Sequence, residues 1–248
     1  MTPDIDIVFA PDLYRFHQKH FNIVLIDILR FTSSMTTALS NGALSVETFA
    51  DEETPLKLKK EQNYLICGEY KGIQLDGYDF NNSPVDMTKE NVECRKLAFC
   101  TTNGTYTRSV IYDYDKILAG SFLNFSALCK RLKNDNEPVT LVCSGSGRKP
   151  AVEDIIFAGK VANYLIENCD YGFTEEAVSM AINLHKMSKG REKDFVLETA
   201  PTKASRVKQN PKYAADFDFV FQEDIFNIVP EETSAFKFEA RKIGRAHV

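Results

Sequence analysis

Glycine is scarce in this 248-residue chain, with 12 positions, below the usual ~7%. A scarce residue is less often filler, so each glycine cluster carries information. Histidine is scarcer still, with four. Outside the terminal His247 there are His17, His20 and His185, with no H-E-x-x-H and no Cys/His cluster, which argues against a histidine-rich metal site. Positive charge is not in excess: 30 Lys and Arg against 35 Asp and Glu leave a net charge of −5. Broad nucleic-acid binding needs a basic surface, so no nucleic-acid partner is expected. The most apolar run, Ile23 to Leu29, is broken by Asp27 and falls far short of the ~20 residues of a membrane helix. No membrane partner is expected either. The first residues lack the basic start and apolar stretch of a secretory signal. Six cysteines form no C-x-x-C pair, so free thiols and a cytoplasmic chain are expected.

What is present suits one sizeable globular unit, since 44% of residues are hydrophobic and the length fits one large domain or two small ones. Three times an apolar β-type run feeds a polar loop that opens into a helical pattern, at residues 22–43, 96–113 and 139–168. Near-continuous apolar strands alternating with helices predict an α/β fold with a parallel or mixed sheet covered on both faces. Ligands bind at the carboxyl ends of such strands. Elsewhere the pattern predicts a charged helix over 51–62, a strand from Tyr64 to Cys67 and a helix over 121–133. Thr174 is placed to cap a helix running to Met187. Asp216 to Phe221 alternates like a strand, and 190–212 reads as a loop, a linker or a poor helix. The last six residues, Ile243 to Val248, back-translate into a common short-read sequencing adapter followed by a stop. They are expected to be read-through, with His247 outside any chemistry.

Several phosphate-handling signatures fail. Gly145-Ser146-Gly147-Arg148-Lys149-Pro150 is neither a Walker A loop nor a dinucleotide fingerprint. Cys143 and Arg148 are one residue too close for a cysteine-phosphatase cradle, and Asp27 lacks the second acid of a D-x-D aspartyl phosphatase. Four constellations remain. Asp27 and Arg30 follow a buried-strand pattern; they form either an anion or metal site or an ion pair that holds a turn. Thr101-Thr102-Asn103-Gly104-Thr105 opens a helix and offers amides and hydroxyls to an anion, or else merely caps and turns. Asn82 and Ser83 sit in a Gly77-to-Pro84 turn, and Glu69 lies just past a short strand, where a solvated acid is the plainer reading. Glu153 and Asp154 start the helix 151–168, either to suit its dipole or to face a cation or a water in the same crevice.

Taken together and in order, several stretches resemble the 2-phosphosulfolactate phosphatase family of coenzyme M biosynthesis. They are IDILRFTSSMTTALSNGA at 26–43, GE at 68–69, GYDFNNSP at 77–84 and CTTNGTYT at 100–107. AGSFLNFSAL at 119–128, SGSGRKPAVEDIIFAG at 144–159 and DFDFVFQEDIFNIVP at 216–230 extend the resemblance over nearly the whole chain. Asn81, where the family usually has glycine, and Lys149-Pro150 depart from it. The resemblance implies a three-layer α/β/α fold of two related Rossmann-like halves. A single domain over 1–242 follows, with its halves meeting near 115–138. It also implies Mg²⁺-dependent hydrolysis of (R)-2-phospho-3-sulfolactate, a small anionic phosphorylated hydroxyacid, to 3-sulfolactate and phosphate. On that scheme Asp27 or Glu69 holds Mg²⁺, and Glu153 or Asp154 positions or deprotonates the attacking water. Arg30, Asn82, Ser83 and Thr101 to Thr105 hold substrate groups. A covalent phosphate on Asp27 is disfavoured by the missing second acid. Two alternatives stand beside this scheme: a phosphatase for another 2-hydroxyacid phosphate, and an anion-binding protein without turnover. A homo-oligomer is compatible with both.

Overall fold

The computed structural model describes residues 2–17 and 22–242; the expected read-through at 243–248 lies outside them. The chain runs β1 (Ile5–Val8), β2 (Asn22–Ile26), α1 (Phe31–Ser40), β3 (Ser45–Thr48), α2 (Glu53–Gln62), β4 (Leu65–Tyr70) and β5 (Ile73–Gln74). It continues through α3 (Lys89–Val92), β6 (Lys96–Cys100), α4 (Gly104–Val110), β7 (Lys116–Gly120), α5 (Phe125–Asp135), β8 (Val139–Cys143) and α6 (Val152–Asn168). Then come α7 (Glu176–Ser188), α8 (Glu192–Thr199), α9 (Pro201–Gln209), α10 (Pro211–Val220), β9 (Ile228–Ser234) and β10 (Lys237–Lys242).

The strands form one mixed ten-stranded sheet in the order β1-β8-β2-β7-β9-β10-β3-β6-β4-β5. Its first four strands are mutually parallel, as are β3, β6 and β4. Between these blocks lies the antiparallel hairpin β9–β10, with β9 against β7 and β10 against β3. The blocks interleave along the chain. Residues 115–138 hold β7 and α5 and lead into β8.

Both faces of the sheet are covered, as the apolar strand runs predict. Along β2, Val24 and Ile26 face one core with α5, α6, α7, α8 and α10, while Ile23 and Leu25 face another with α1. Along β6, Leu97 and Phe99 share the α1 core, and Ala98 and Cys100 join a third core with Leu56 and Leu58 of α2. The architecture is three-layer α/β/α. All six cysteines are free thiols. Among the described residues, no helix is long and apolar enough to cross a membrane.

Two local expectations need correction, and a third is narrowed to its helical alternative. Asp216 to Phe221 is not a strand but part of α10, because Tyr213, Asp216, Phe217 and Val220 make a buried stripe at helical spacing. Pro211 starts that helix and the Asn210 side chain accepts from the Tyr213 amide at 3.1 Å. Residues 190–212 are not a loop: they hold α8, α9 and the start of α10, with Pro201 opening α9. Thr174 does not cap α7, because the chain is still extended at Glu175, which is the N-cap.

Candidate active site

Asp27 ends β2 and is 4% exposed. Its Oδ1 accepts from the Phe31 amide at 3.1 Å, and its other oxygen has no partner among the described residues. Burial is the largest influence and pushes Asp27 up to about 7. The Phe31 amide opposes that rise, the Glu69 and Glu153 charges add to it, and Arg30 opposes it. Asp27 thus feels two further acids, Glu69 at the end of β4 and Glu153 in the first turn of α6.

Asp154 has a different task. Its Oδ1 accepts from the Ile28 amide and its Oδ2 from the Gly145 amide, each at 2.9 Å, so it stitches the β2 and β8 loops together. Burial, then Glu153 and Asp27, hold its carboxyl well above the usual carboxylate range. Glu153, 3% exposed, pairs with Lys203 Nζ of α9 at 2.6 Å. Glu69 is held at both oxygens: Oε1 accepts from the Thr102 amide at 2.8 Å and Oε2 from the Gly72 amide at 2.5 Å.

Arg30 commits two of its five N–H donors within the protein. Its Nη1 lies 2.5 Å from Asp216 Oδ2 and its Nη2 donates to Asn81 Oδ1 at 2.8 Å. Ser83 Oγ donates to the other Asp216 oxygen at 2.5 Å. The Asn82 backbone carbonyl accepts from Ser34 Oγ, and its side-chain Oδ1 is buried without a partner. Arg30 does not form the turn-holding ion pair with Asp27 that the sequence allowed; it ties its loop to Asp216 of α10 and to Asn81 instead. Asp216, fully buried on α10, is the partner that sequence reasoning missed.

Thr101 and Thr105 spend their hydroxyls on each other's backbone: each amide donates to the other hydroxyl, and Thr105 Oγ1 donates to the Thr101 carbonyl. These bonds close the turn ahead of α4, whose N-cap Asn103 makes no side-chain capping bond. Asn103 Oδ1 accepts from the Gly147 amide at 3.0 Å and so ties the β6 loop to the β8 loop. Gly145, at φ +67, belongs to the β8 loop, where a Cβ would lie 2.1 Å from the Lys149 carbonyl oxygen. Gly104 is required for another reason: a Cβ there would lie 2.3 Å from the Phe31 ring. Phe31 is fully buried and its amide holds Asp27. Gly104→Ala is therefore expected to lower stability by ~1–3 kcal/mol, the usual range for overpacking. A urea midpoint equal to wild type would show that Phe31 moves aside freely.

Thr101, Thr102, Asn103 and Glu69 wall a cavity of about 440 Å³, closed on one side by Tyr106 and Arg148. The Arg148 guanidinium stacks 4.2 Å over the Tyr106 ring and makes no hydrogen bond or ion pair among the described residues. Sequence-identified residues thus fall into a buried acid group, an Arg30 clamp and a cavity wall, joined through Glu69. Lys203 went unseen because the segment that carries it showed no clear pattern.

These loops carry the stretches that a family profile recognises. The profile described as 2-phosphosulpholactate phosphatase matches residues 8–234. The chain belongs to the 2-phosphosulfolactate phosphatase family. It is an enzyme of the phosphoric monoester hydrolase class. A "Probable 2-phosphosulfolactate phosphatase" of Pseudothermotoga lettingae is 34% identical over 226 residues, covering 91% of this chain and 94% of that protein. Proteins of the same description from Clostridium novyi and Clostridium acetobutylicum are 29% and 31% identical. They match 91% and 92% of this chain, and 94% and 96% of their own lengths. Membership in the 2-phosphosulfolactate phosphatase family thus rests on nearly full-length similarity.

The family resemblance also implies Mg²⁺, and the donor chemistry of the site fits such an ion. Asp27 offers an unpartnered hard oxygen beside two further acids. Among the described residues, no group of three or more His, Cys, Asp or Glu side chains forms a ready cage. Mg²⁺ commonly takes only one or two carboxylates, several waters and substrate phosphate.

Proposed function

We propose that this phosphatase hydrolyses 2-phosphosulfolactate to 3-sulfolactate and phosphate, with Asp27 as the principal Mg²⁺ ligand. The single observation that carries the proposal is the buried Asp27 carboxylate just past β2, with one oxygen unpartnered among the described residues and Glu69, Glu153 and Asp154 as its acidic neighbours. Bound there, Mg²⁺ supplies charge neutralisation for the phosphoryl oxygens. Asp154 keeps the β2 and β8 loops in register by its two amide bonds. Glu153 takes the proton of the attacking water, whose oxygen bonds to phosphorus as the ester P–O bond breaks and the alkoxide takes up a proton. Lys203 pairs with Glu153 and brings a positive charge toward the incoming phosphate. Glu69 spends its oxygens on the Thr102 and Gly72 amides, which leaves it as an electrostatic neighbour of Asp27 more than a primary ligand.

Phosphate release from a panel of phosphorylated 2-hydroxyacids, with Mg²⁺ or with EDTA, tests the proposal. Release is expected with Mg²⁺ and greatest with phosphosulfolactate. Equal release from other hydroxyacid phosphates would sink the substrate assignment, and undiminished release in EDTA would sink the metal. Silence across the panel from folded protein would leave an anion binder. A second measurement needs no turnover. Asp27 must be ionised to bind a cation, so Mg²⁺ is expected to raise the thermal midpoint more at pH 8 than at pH 5.5.

A further inference from the structure

Helix α9 has no fully buried residue, yet one of its faces is turned inward. Lys203, Ala204, Arg206 and Val207 are partly buried, and they sit at the i, i+3, i+4 spacing of a single face. Lys203 reaches Glu153. Arg206, one turn on, is held between two surfaces. Its guanidinium carbon stands 4.3 Å over the ring of buried Tyr213. Its Nη2 lies 1.7 Å from the point where a Cβ on Gly72 would be. Gly72 and Lys71 make the two-residue turn of the β4–β5 hairpin, both at positive φ. The Gly72 amide in turn donates to Glu69.

Arg206 therefore shares an α9 face with Lys203 and lies beside Tyr213, which feels both Arg206 and the Glu153 partner of Lys203; it makes no hydrogen bond or ion pair among the described residues. The other arginines near the site differ. Arg30 is committed to Asp216 and Asn81, and Arg148 is exposed on the far side of the cavity wall. A half-buried guanidinium stacked on an aromatic ring and lacking an anion is a receptor waiting for one.

Resting on the phosphatase reading above, we propose that Arg206 is the specificity-determining residue that binds the sulfonate of the substrate. Residues three apart on a helix stand roughly 5–6 Å apart. That is the scale separating anionic groups on neighbouring carbon atoms, so Lys203 serves the phosphate end and Arg206 the sulfonate end. The guanidinium fork meets two sulfonate oxygens at once, a geometry that lysine does not reproduce. Gly72 is part of the device, since any side chain there would fill the guanidinium's place.

Isothermal titration of the wild-type protein with 3-sulfolactate and with lactate, ligands that differ only in the sulfonate, tests this without turnover. The wild type is expected to prefer 3-sulfolactate, and Arg206→Gln to reduce that preference at least ~10-fold, the effect of losing about 1.4 kcal/mol. Gly72→Ala keeps the arginine and displaces it, and is expected to lower the preference in the same direction. The proposal is overturned if the wild type shows no preference, if Arg206→Gln weakens both ligands equally, or if either variant retains the wild-type preference. An Arg206-dependent preference in a protein that releases no phosphate from phosphosulfolactate would overturn the proposed function and leave Arg206 in its role. Vigorous turnover with an unaltered preference in Arg206→Gln would do the reverse.

Discussion

Asp27→Asn is expected to abolish nearly all Mg²⁺-dependent phosphate release, by roughly 10³-fold, while raising the thermal midpoint of the metal-free protein at pH 8. The loss follows from removing the one unpartnered oxygen that faces the acid group; ~4 kcal/mol of transition-state stabilisation corresponds to that factor. The gain in stability follows from the same burial. Asp27 rises from 3.8 to about 7 on folding, so between those values the folded chain holds a proton that the unfolded chain has released. Stability attributable to this group therefore falls as pH rises through that window, then stays low above it. Asparagine keeps an acceptor for the Phe31 amide and carries no charge, which removes a penalty of up to about 4 kcal/mol at pH 8. Differential scanning calorimetry at pH 5 and pH 8, in EDTA, should show the variant's advantage grow markedly from the lower pH to the higher. An asparagine variant that is active within a few-fold of wild type would remove Asp27 from the chemistry. One that is less stable than wild type at pH 8 would mean that Arg30 compensates the carboxylate fully.

The second large effect concerns Asp216. Its two oxygens hold Arg30 and Ser83, and all three side chains are buried. Asp216→Ala leaves the Arg30 guanidinium, 7% exposed, without its counter-ion. Removing one partner of a buried pair costs about 3–5 kcal/mol. In a chain of this length each kcal/mol moves the thermal midpoint by roughly 2–4 °C, so a fall on the order of 10 °C is expected. Arg30 lies three residues from Asp27, so kcat/KM should fall too. Exchanging both charged partners for apolar residues should restore most of the stability and none of the activity. If the single variant melts with wild type, the clamp contributes nothing and Arg30 is free to meet substrate.

The parts of the molecule legible in the sequence are those with a repeated signal. Ile23 to Ile26, Leu97 to Cys100 and Val139 to Cys143 are apolar runs buried on both faces, and such runs have few other homes than a covered sheet. Their loops could be singled out because polar residues directly after a buried strand must find partners. Which partner each finds was not legible. Whether Arg30 meets Asp216 or an anion depends on where α10 packs, nearly 190 positions away in sequence. The alternation in Asp216 to Phe221 matches a strand only if its aspartates share one polar face. Asp216 instead points inward to Arg30, and that single buried acid converts a period of two into a helical stripe. The Asn210-Pro211 start signal was present and outweighed by the alternation. Lys203 and Arg206 lie on a helix with little apolar character, whose position is set by ion pairing and stacking more than by hydrophobic periodicity.

The placement of β9 and β10 bears on how the chain is made. These strands sit at the middle of the sheet but come from residues 228–242, after every other described strand has left the ribosome. Until then β7 and β3 each present an unpaired edge, the kind of template that recruits another nascent chain. The hairpin acts as a keystone delivered last. Until the hairpin docks, the two parallel blocks share no strand, so their alignment waits on the last of the described strands along the chain.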